Sequence, residues 1–164
     1  MNDVKTLALV RHAKSSWDDS ALADHDRPLN DRGLRDAPAM GRLLHSRGFA
    51  PDVILASTAT RALATAAAIA AELDYDGEIV AIPRLYGASP ATILEIVSGL
   101  DDTLESAMVV AHDPGTSELA SALSADIDRM PTCAVAEFTF AIASWRDLPG
   151  ARPQTVRIDK PRRG

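Results

Sequence analysis

Leu7-Ala8-Leu9-Val10-Arg11-His12-Ala13-Lys14 is the stretch on which the fold turns. An apolar run of strand length ends abruptly in an arginine and a histidine. A run of Leu and Val without polar interruption reads as a central strand buried on both faces. Such a strand delivers whatever follows it to the C-terminal edge of its sheet, where open α/β folds bind ligands. A cation and an imidazole fixed at that edge make an anion site with a candidate nucleophile. The remainder of the chain can be asked whether it brings more of the same chemistry there.

Three more strand-like runs answer. Pro51 to Ala56 leads into Ser57-Thr58-Ala59-Thr60-Arg61, where Ser57 or Thr58 can cap a helix with Arg61 in its first turn. Glu78 to Ile82 is short and leads through Leu85 to Pro90 into a helix carrying Ile93, Leu94, Ile96 and Val97. Ala107 to Ala111 ends in His112-Asp113-Pro114-Gly115, with Asp113 as N-cap and Pro114 in the first helical position. Between the first two runs, Ser15 to Pro28 is a polar loop placed over the site. Asn30 caps a helix from Asp31 whose apolar face is Leu34, Ala37, Gly41 and Leu44; Pro38 kinks it or closes its first turn, and Gly48 ends it. Ala134 to Ala143 and Thr155 to Ile158 complete the set.

The order β-α-β-α-β-α-β-α-β-β predicts an α/β fold, a three-layer sandwich with a mainly parallel central sheet of about six strands and helices on both faces. No repeat, linker or low-complexity segment divides it, so residues 1–164 are expected to form a single domain. Three polar strand ends then meet at one edge with Arg11 and His12, Arg61, and His112. Any one of these residues alone could be a solvated strand-end charge or a hydrogen-bonded structural imidazole. Their recurrence at three strand ends is what points to phosphate chemistry, which helix N-termini and arginines both favour.

Composition narrows the partners. The net charge of −6 argues against nucleic acid, so positive charge at a site must be local. Aromatic residues are 4% of the chain, too few for base stacking to be a theme. The single cysteine, Cys133, excludes an internal disulfide and suggests a reducing, cytoplasmic setting. Met1 to Lys5 enters the first strand without a signal-peptide pattern, and no apolar run is long enough to span a bilayer. His25 and His45 show no metal-ligand spacing, so neither a metal nor a cofactor is expected. A cysteine phosphatase needs an arginine that Thr139 replaces at the required distance from Cys133, which reads as a small buried residue. Asp24-His25-Asp26 does not follow a buried strand, as an aspartyl-phosphate motif must. Trp17 and Trp145 read as packing residues, with Trp17 also a candidate for the pocket wall. The tail Lys160-Pro161-Arg162-Arg163 is short and basic.

Taken together, Arg11-His12-Ala13 after a strand resembles the Arg-His-Gly motif of the histidine phosphatase superfamily, which includes the cofactor-dependent phosphoglycerate mutases. Ser57 to Arg61 resembles its second-arginine motif, and Val110 to Pro114 its second-histidine motif. The chain length, Arg27-Pro28-Leu29 before Asn30-Asp31-Arg32-Gly33, and Pro131-Thr132 are similar to the small SixA-type phosphohistidine phosphatase branch. The resemblance spans nearly the whole chain in the expected order; Ala13 replaces the commoner glycine.

The resemblance implies that His12 is a nucleophile forming a phosphohistidine intermediate, that Arg11, Arg27 and Arg61 hold phosphoryl oxygens, and that His112 stabilises the transition state. It also implies a departure. Mutase-like members carry a glutamate soon after the third strand, and Pro83 to Ser89 contains no carboxylate. That disfavours alkyl phosphate esters and favours a phosphoramidate, whose leaving group asks less of an acid. Asp24 or Asp26, beside Arg27, is the candidate proton donor. The expected activity is a metal-independent phosphatase acting on phosphohistidine in a protein and releasing inorganic phosphate. A small phosphorylated metabolite is the alternative substrate, and a non-catalytic phosphoprotein-binding module ranks third because His12 is present.

Overall fold

The computed structural model describes residues 3–162; the expectations placed on Met1, Asn2 and Arg163 lie outside them. Six strands form one sheet: β1 (Lys5–Arg11), β2 (Val53–Ser57), β3 (Ile79–Ile82), β4 (Ser106–Ala111), β5 (Val135–Phe140) and β6 (Thr155–Asp159), in the order β3-β2-β4-β1-β5-β6. β1 to β4 pair in parallel; β5 and β6 add an antiparallel edge. The helices are α1 (Asp31–Ser46), α2 (Thr60–Glu72), α3 (Pro90–Ser98) and α4 (Gly115–Leu123).

The opening run explains the layers. Side chains alternate along a strand. Leu7 and Leu9 enter a core with Ile93 and Val97 of α3 and Leu119 of α4, while Ala8 and Val10 enter a second core with Leu44 of α1 and Ile69 of α2. β1 is therefore apolar throughout because it is covered on both faces. Helices lie on both sides of the sheet, as the strand–helix alternation predicts. Gly41 allows α1 and α2 to approach closely: a Cβ there would lie 2.8 Å from the Glu72 Cβ. Trp145 is fully buried and donates its indole N–H to the Leu104 carbonyl at 2.7 Å. Cys133 is buried too. Among the described residues no helix is long and apolar enough to cross a membrane.

Local details differ from the sequence reading in three places. Leu34 is exposed, and the buried stripe of α1 is Gly33, Ala37, Met40, Gly41 and Leu44. The first turn packs through Gly33, where a Cβ would fall 2.2 Å from the Lys14 carbonyl oxygen, and this rotates Leu34 outward. Pro38 does not end the first turn; the helix runs through it on its outer side, where the missing N–H leaves the Leu34 carbonyl without its usual helical donor. α4 starts at Gly115, not Pro114. The Asp113 carboxylate still caps it from one residue further out, accepting from the Ser117 N–H at 3.0 Å.

Candidate active site

The sheet order sets β2, β4 and β1 side by side, so their C-terminal ends converge. Arg11 is paired with Ala111 across the β1–β4 ladder, and the next residue on each strand is a histidine. The His12 and His112 rings lie 5.0 Å apart, centroid to centroid. From the end of β2 the chain turns directly into α2 and presents Arg61 from its first turn. Thr65, one turn later, accepts from the Ala13 N–H at 2.9 Å and donates to the Arg61 carbonyl at 2.7 Å, which fastens the end of β1 to α2. A hollow of about 240 Å³ lies among Arg11, His12, Trp17, Arg27, Arg61 and His112.

His12 is buried, and its Nδ1 lies 2.7 Å from the Ala13 carbonyl oxygen. A carbonyl only accepts, so Nδ1 carries the proton and donates, and Nε2 keeps its lone pair. Burial, and then the charges of Arg61, Arg11 and Arg27, lower the His12 pKa to about 4, against the opposing effect of the Ala13 carbonyl. The Nε2 of His112 is 2.8 Å from the Ser57 hydroxyl oxygen, which also accepts from the Ala59 N–H. The Ser57 hydroxyl can donate to Nε2, the tautomer in which Nδ1 carries the ring proton. Burial and the neighbouring His12 and Arg61 lower the His112 pKa to about 3. Neither Ser57 nor Thr58 caps α2 as the sequence suggested; Ala59 precedes its first residue without a side-chain bond, Ser57 serves His112, and the Thr58 hydroxyl lies 2.8 Å from His25 Nε2.

Arg11 and Arg61 are oriented by bonds on their terminal nitrogens, and Arg27 by its Nε as well. One Arg11 nitrogen donates to the Met130 carbonyl at 2.9 Å and lies 3.5 Å from the Asp113 carboxylate. Arg61 donates to the Asp24 carbonyl at 2.6 Å and to its carboxylate at 3.0 Å. Arg27 donates to the same carboxylate through Nε and one terminal nitrogen and to the Ser15 hydroxyl at 2.7 Å, with its guanidinium stacked 3.5 Å from the centre of the Trp17 ring. Trp17 itself is 71% exposed and forms part of the pocket wall, unlike the buried Trp145. Of the buried side-chain atoms without a hydrogen-bond partner among the described residues, three belong to residues of this pocket: Arg11 Nε, Arg61 Nε and His112 Nδ1.

Of the two aspartates picked out beside Arg27, the structure brings only Asp24 to the guanidinium groups. Asp26 is largely exposed and faces His25 at 3.6 Å. The Asp24 carboxylate is held far below the usual carboxylate range, first by the Tyr86 hydroxyl at 2.5 Å and then by Arg61 and Arg27. Tyr86 was not singled out from the sequence, although it lies in the segment quoted for its missing carboxylate. Its ring meets both His112 and His25 edge-on, at 5.4 and 4.9 Å. Ser15, Thr65 and Asp113 were equally invisible as site residues, because each acts by orienting a neighbour. Among the described residues, no group of three or more His, Cys, Asp or Glu could hold a metal ion.

The neutral imidazoles have a consequence for stability. An unfolded histidine titrates near 6.5. Between there and the lowered folded values, the unfolded chain binds protons that the folded chain refuses, so stability is complete above about pH 6.5 and falls with pH toward 4. His12 alone should contribute on the order of 2–3 kcal/mol to the loss between pH 7 and pH 4.5. Urea unfolding at those two pH values should show it. The His12→Ala variant should have a flatter dependence by that amount, and an unchanged slope would refute the assignment.

Comparison with known proteins agrees with this geometry. A family model described as histidine phosphatase superfamily (branch 1) matches residues 7–87. An uncharacterized protein of Mycobacterium tuberculosis is 43% identical over 115 residues, 70% of each chain. A solved structure from Nakamurella multipartitia, provisionally described as the phosphohistidine phosphatase SixA, is 30% identical, with a TM-score of 0.77 over 94% of this chain and 95% of that one. Another, from Agrobacterium tumefaciens and provisionally described in the same way, is 27% identical, with a TM-score of 0.78 over 93% and 97%. With its motifs in the expected order along a sheet of this topology, the chain belongs to the histidine phosphatase superfamily, in its SixA-type branch.

Proposed function

We propose that this phosphatase removes the phosphoryl group from phosphohistidine in a protein, through a covalent intermediate on His12. The observation that carries the reading is a neutral imidazole with a free Nε2 lone pair, set in a hollow lined by Arg11, Arg27, Arg61 and His112. Phosphoryl oxygens are the acceptors that fit. Phosphoryl transfer asks mainly for positioning and charge stabilisation, which oriented guanidinium groups supply.

In the first step Nε2 of His12 attacks phosphorus and the substrate P–N bond breaks; a substrate ring that enters protonated on its other nitrogen leaves as neutral imidazole, with no proton donor required. In the second step water attacks phosphorus, the His12–phosphorus bond breaks, and inorganic phosphate leaves with His12 again neutral. Arg11, Arg61 and Arg27 hold the transferring group, and His112 donates to an oxygen whose charge grows in the transition state. Asp24, ionised by a phenol and two guanidinium groups, suits a positioning role and not that of the proton donor. Asp26 faces away from the arginines. A site whose arginine-paired carboxylate, Asp24, is held ionised favours a phosphoramidate over an alkyl ester, and the solved relatives provisionally described as phosphohistidine phosphatases support the same substrate class.

The test is a trap. Wild-type protein is mixed in EDTA with a peptide bearing labelled phosphohistidine, then quenched in alkali. Label stable to alkali and labile to acid should appear on the chain and turn over to free phosphate. Phosphate release with no label on the chain would overturn the covalent mechanism, and failure to consume the peptide while aryl phosphate is hydrolysed would overturn the substrate class.

A further inference from the structure

The outer face of α1 carries a pattern that the catalytic pocket does not use. Arg32, Arg35, Ala39 and Arg42 follow one another at intervals of three, four and three residues, so they share one stripe of the helix. The segment after β6 lies alongside, and Lys160, Pro161 and Arg162 complete a groove of about 560 Å³ whose floor includes Pro38, Met40 and Leu43. Four cations (Arg35, Arg42, Lys160 and Arg162) line this groove against one carboxylate, Asp36, which lies 3.5 Å from Arg32. The chain as a whole carries −6, so this face runs against the overall charge. Arg42 pairs only with Glu72 at 3.4 Å on the surface, a contact weak enough to exchange.

The groove extends toward the site. A second hollow, whose lining includes Ser16, Asp18, Asp31, Arg32 and Arg35, shares Arg35 with the groove, and its Ser16 and Asp18 are sequence neighbours of Ser15 and Trp17 in the pocket. The start of α1 is anchored beside the nucleophile: the Asn30 N–H donates to the Lys14 carbonyl at 3.0 Å, two residues after His12. From Arg35 to Arg42 the helix rises ~10 Å, the span of roughly three extended residues.

We propose that this groove docks an acidic, leucine-bearing segment of the phosphorylated protein substrate, next to its phosphorylated residue. The inference rests on the reading of the substrate as a protein. An apolar floor edged by cations complements a segment in which acidic and branched apolar side chains alternate, and a free phosphate would leave most of the groove unfilled. The exposed charges at its rim, Arg35 and Lys160, speed encounter and make binding salt-dependent.

The experiment uses the full chain and its Arg35→Glu/Lys160→Glu variant, both changes falling on exposed residues outside the catalytic pocket. A fluorescent, unphosphorylated peptide of alternating Glu and Leu is followed by anisotropy. Wild type and His12→Ala should bind it alike, more weakly as salt is raised, and the double reversal should weaken binding at least ~10-fold. The same reversal should raise KM for a phosphohistidine peptide with that flank while leaving hydrolysis of p-nitrophenyl phosphate unchanged. Peptide binding that is indifferent to the reversal overturns the proposal, as does binding to vesicles of anionic lipid with none to the peptide. Reversal-sensitive peptide binding in a protein that does not hydrolyse phosphohistidine would uphold the groove and reject the substrate assignment.

Discussion

His12→Ala should lower kcat on the order of 10⁴- to 10⁶-fold and leave no covalent label on the chain, the scale of loss seen when an enzyme's nucleophile is removed. The expectation rests on the tautomer. Nδ1 is committed to the Ala13 carbonyl, so Nε2 is the only lone pair the ring offers, and burial keeps the ring neutral at physiological pH. The neighbouring groups that orient or line the site beside His12 are engaged otherwise. His112 spends Nε2 on Ser57, the arginines are cationic, and Asp24 is tied to three donors. Binding should survive, because Arg11, Arg61 and His112, the groups proposed to hold the phosphoryl oxygens, are kept. Inorganic phosphate should therefore still raise the melting temperature of His12→Ala. Turnover within tenfold of wild type, measured with the phosphohistidine peptide, would remove His12 from the chemistry.

What the sequence disclosed was the chemistry at strand ends. A buried strand is marked by its apolar run, and the residue after it lies at the sheet edge whatever the loops do, so Arg11, His12 and His112 were legible. Arg61 was legible because a polar strand end feeds a helix whose first turn it must occupy. The order of strands in the sheet was not contained in any one segment; it follows from right-handed crossovers and from the antiparallel addition of β5 beside β1. Residues that act through a neighbour gave no local signal. Ser57 looked like a helix cap because serines at strand–helix junctions usually are, yet tertiary contact with His112 claims its hydroxyl. Leu34 looked like core because its spacing from Ala37 is helical, and only the close approach of Gly33 to Lys14 shows which side of the helix faces in. Tyr86 reaches Asp24 across 62 positions of sequence, a pairing that no periodicity encodes.

Arg61→Lys separates two accounts of the pocket. A lysine keeps the charge but not the fork. Arg61 uses its two terminal nitrogens on the carbonyl and carboxylate of Asp24, its Nε is buried without a partner, and under the proposed function the guanidinium also donates to a phosphoryl oxygen. A single ammonium cannot fill all three positions. Either the phosphoryl donor is lost, or the turn at Asp24–Asp26 is released and Arg27 loses the carboxylate that aligns it. Both outcomes fall on the transition state, so kcat/KM should drop ~100- to 1000-fold, the usual cost of one preorganised donor. Asp24→Asn is the companion measurement. The amide oxygen still accepts from a guanidinium, so a positioning Asp24 predicts a loss smaller than that of Arg61→Lys and an unchanged pH profile. If Asp24 were instead the proton donor to the leaving group, its amide would remove the transferable proton, and Asp24→Asn would be the more damaging of the two. The carboxylate accepts bonds from Tyr86, Arg61 and Arg27 at once, which holds it ionised, so the structure predicts that the arginine substitution costs more.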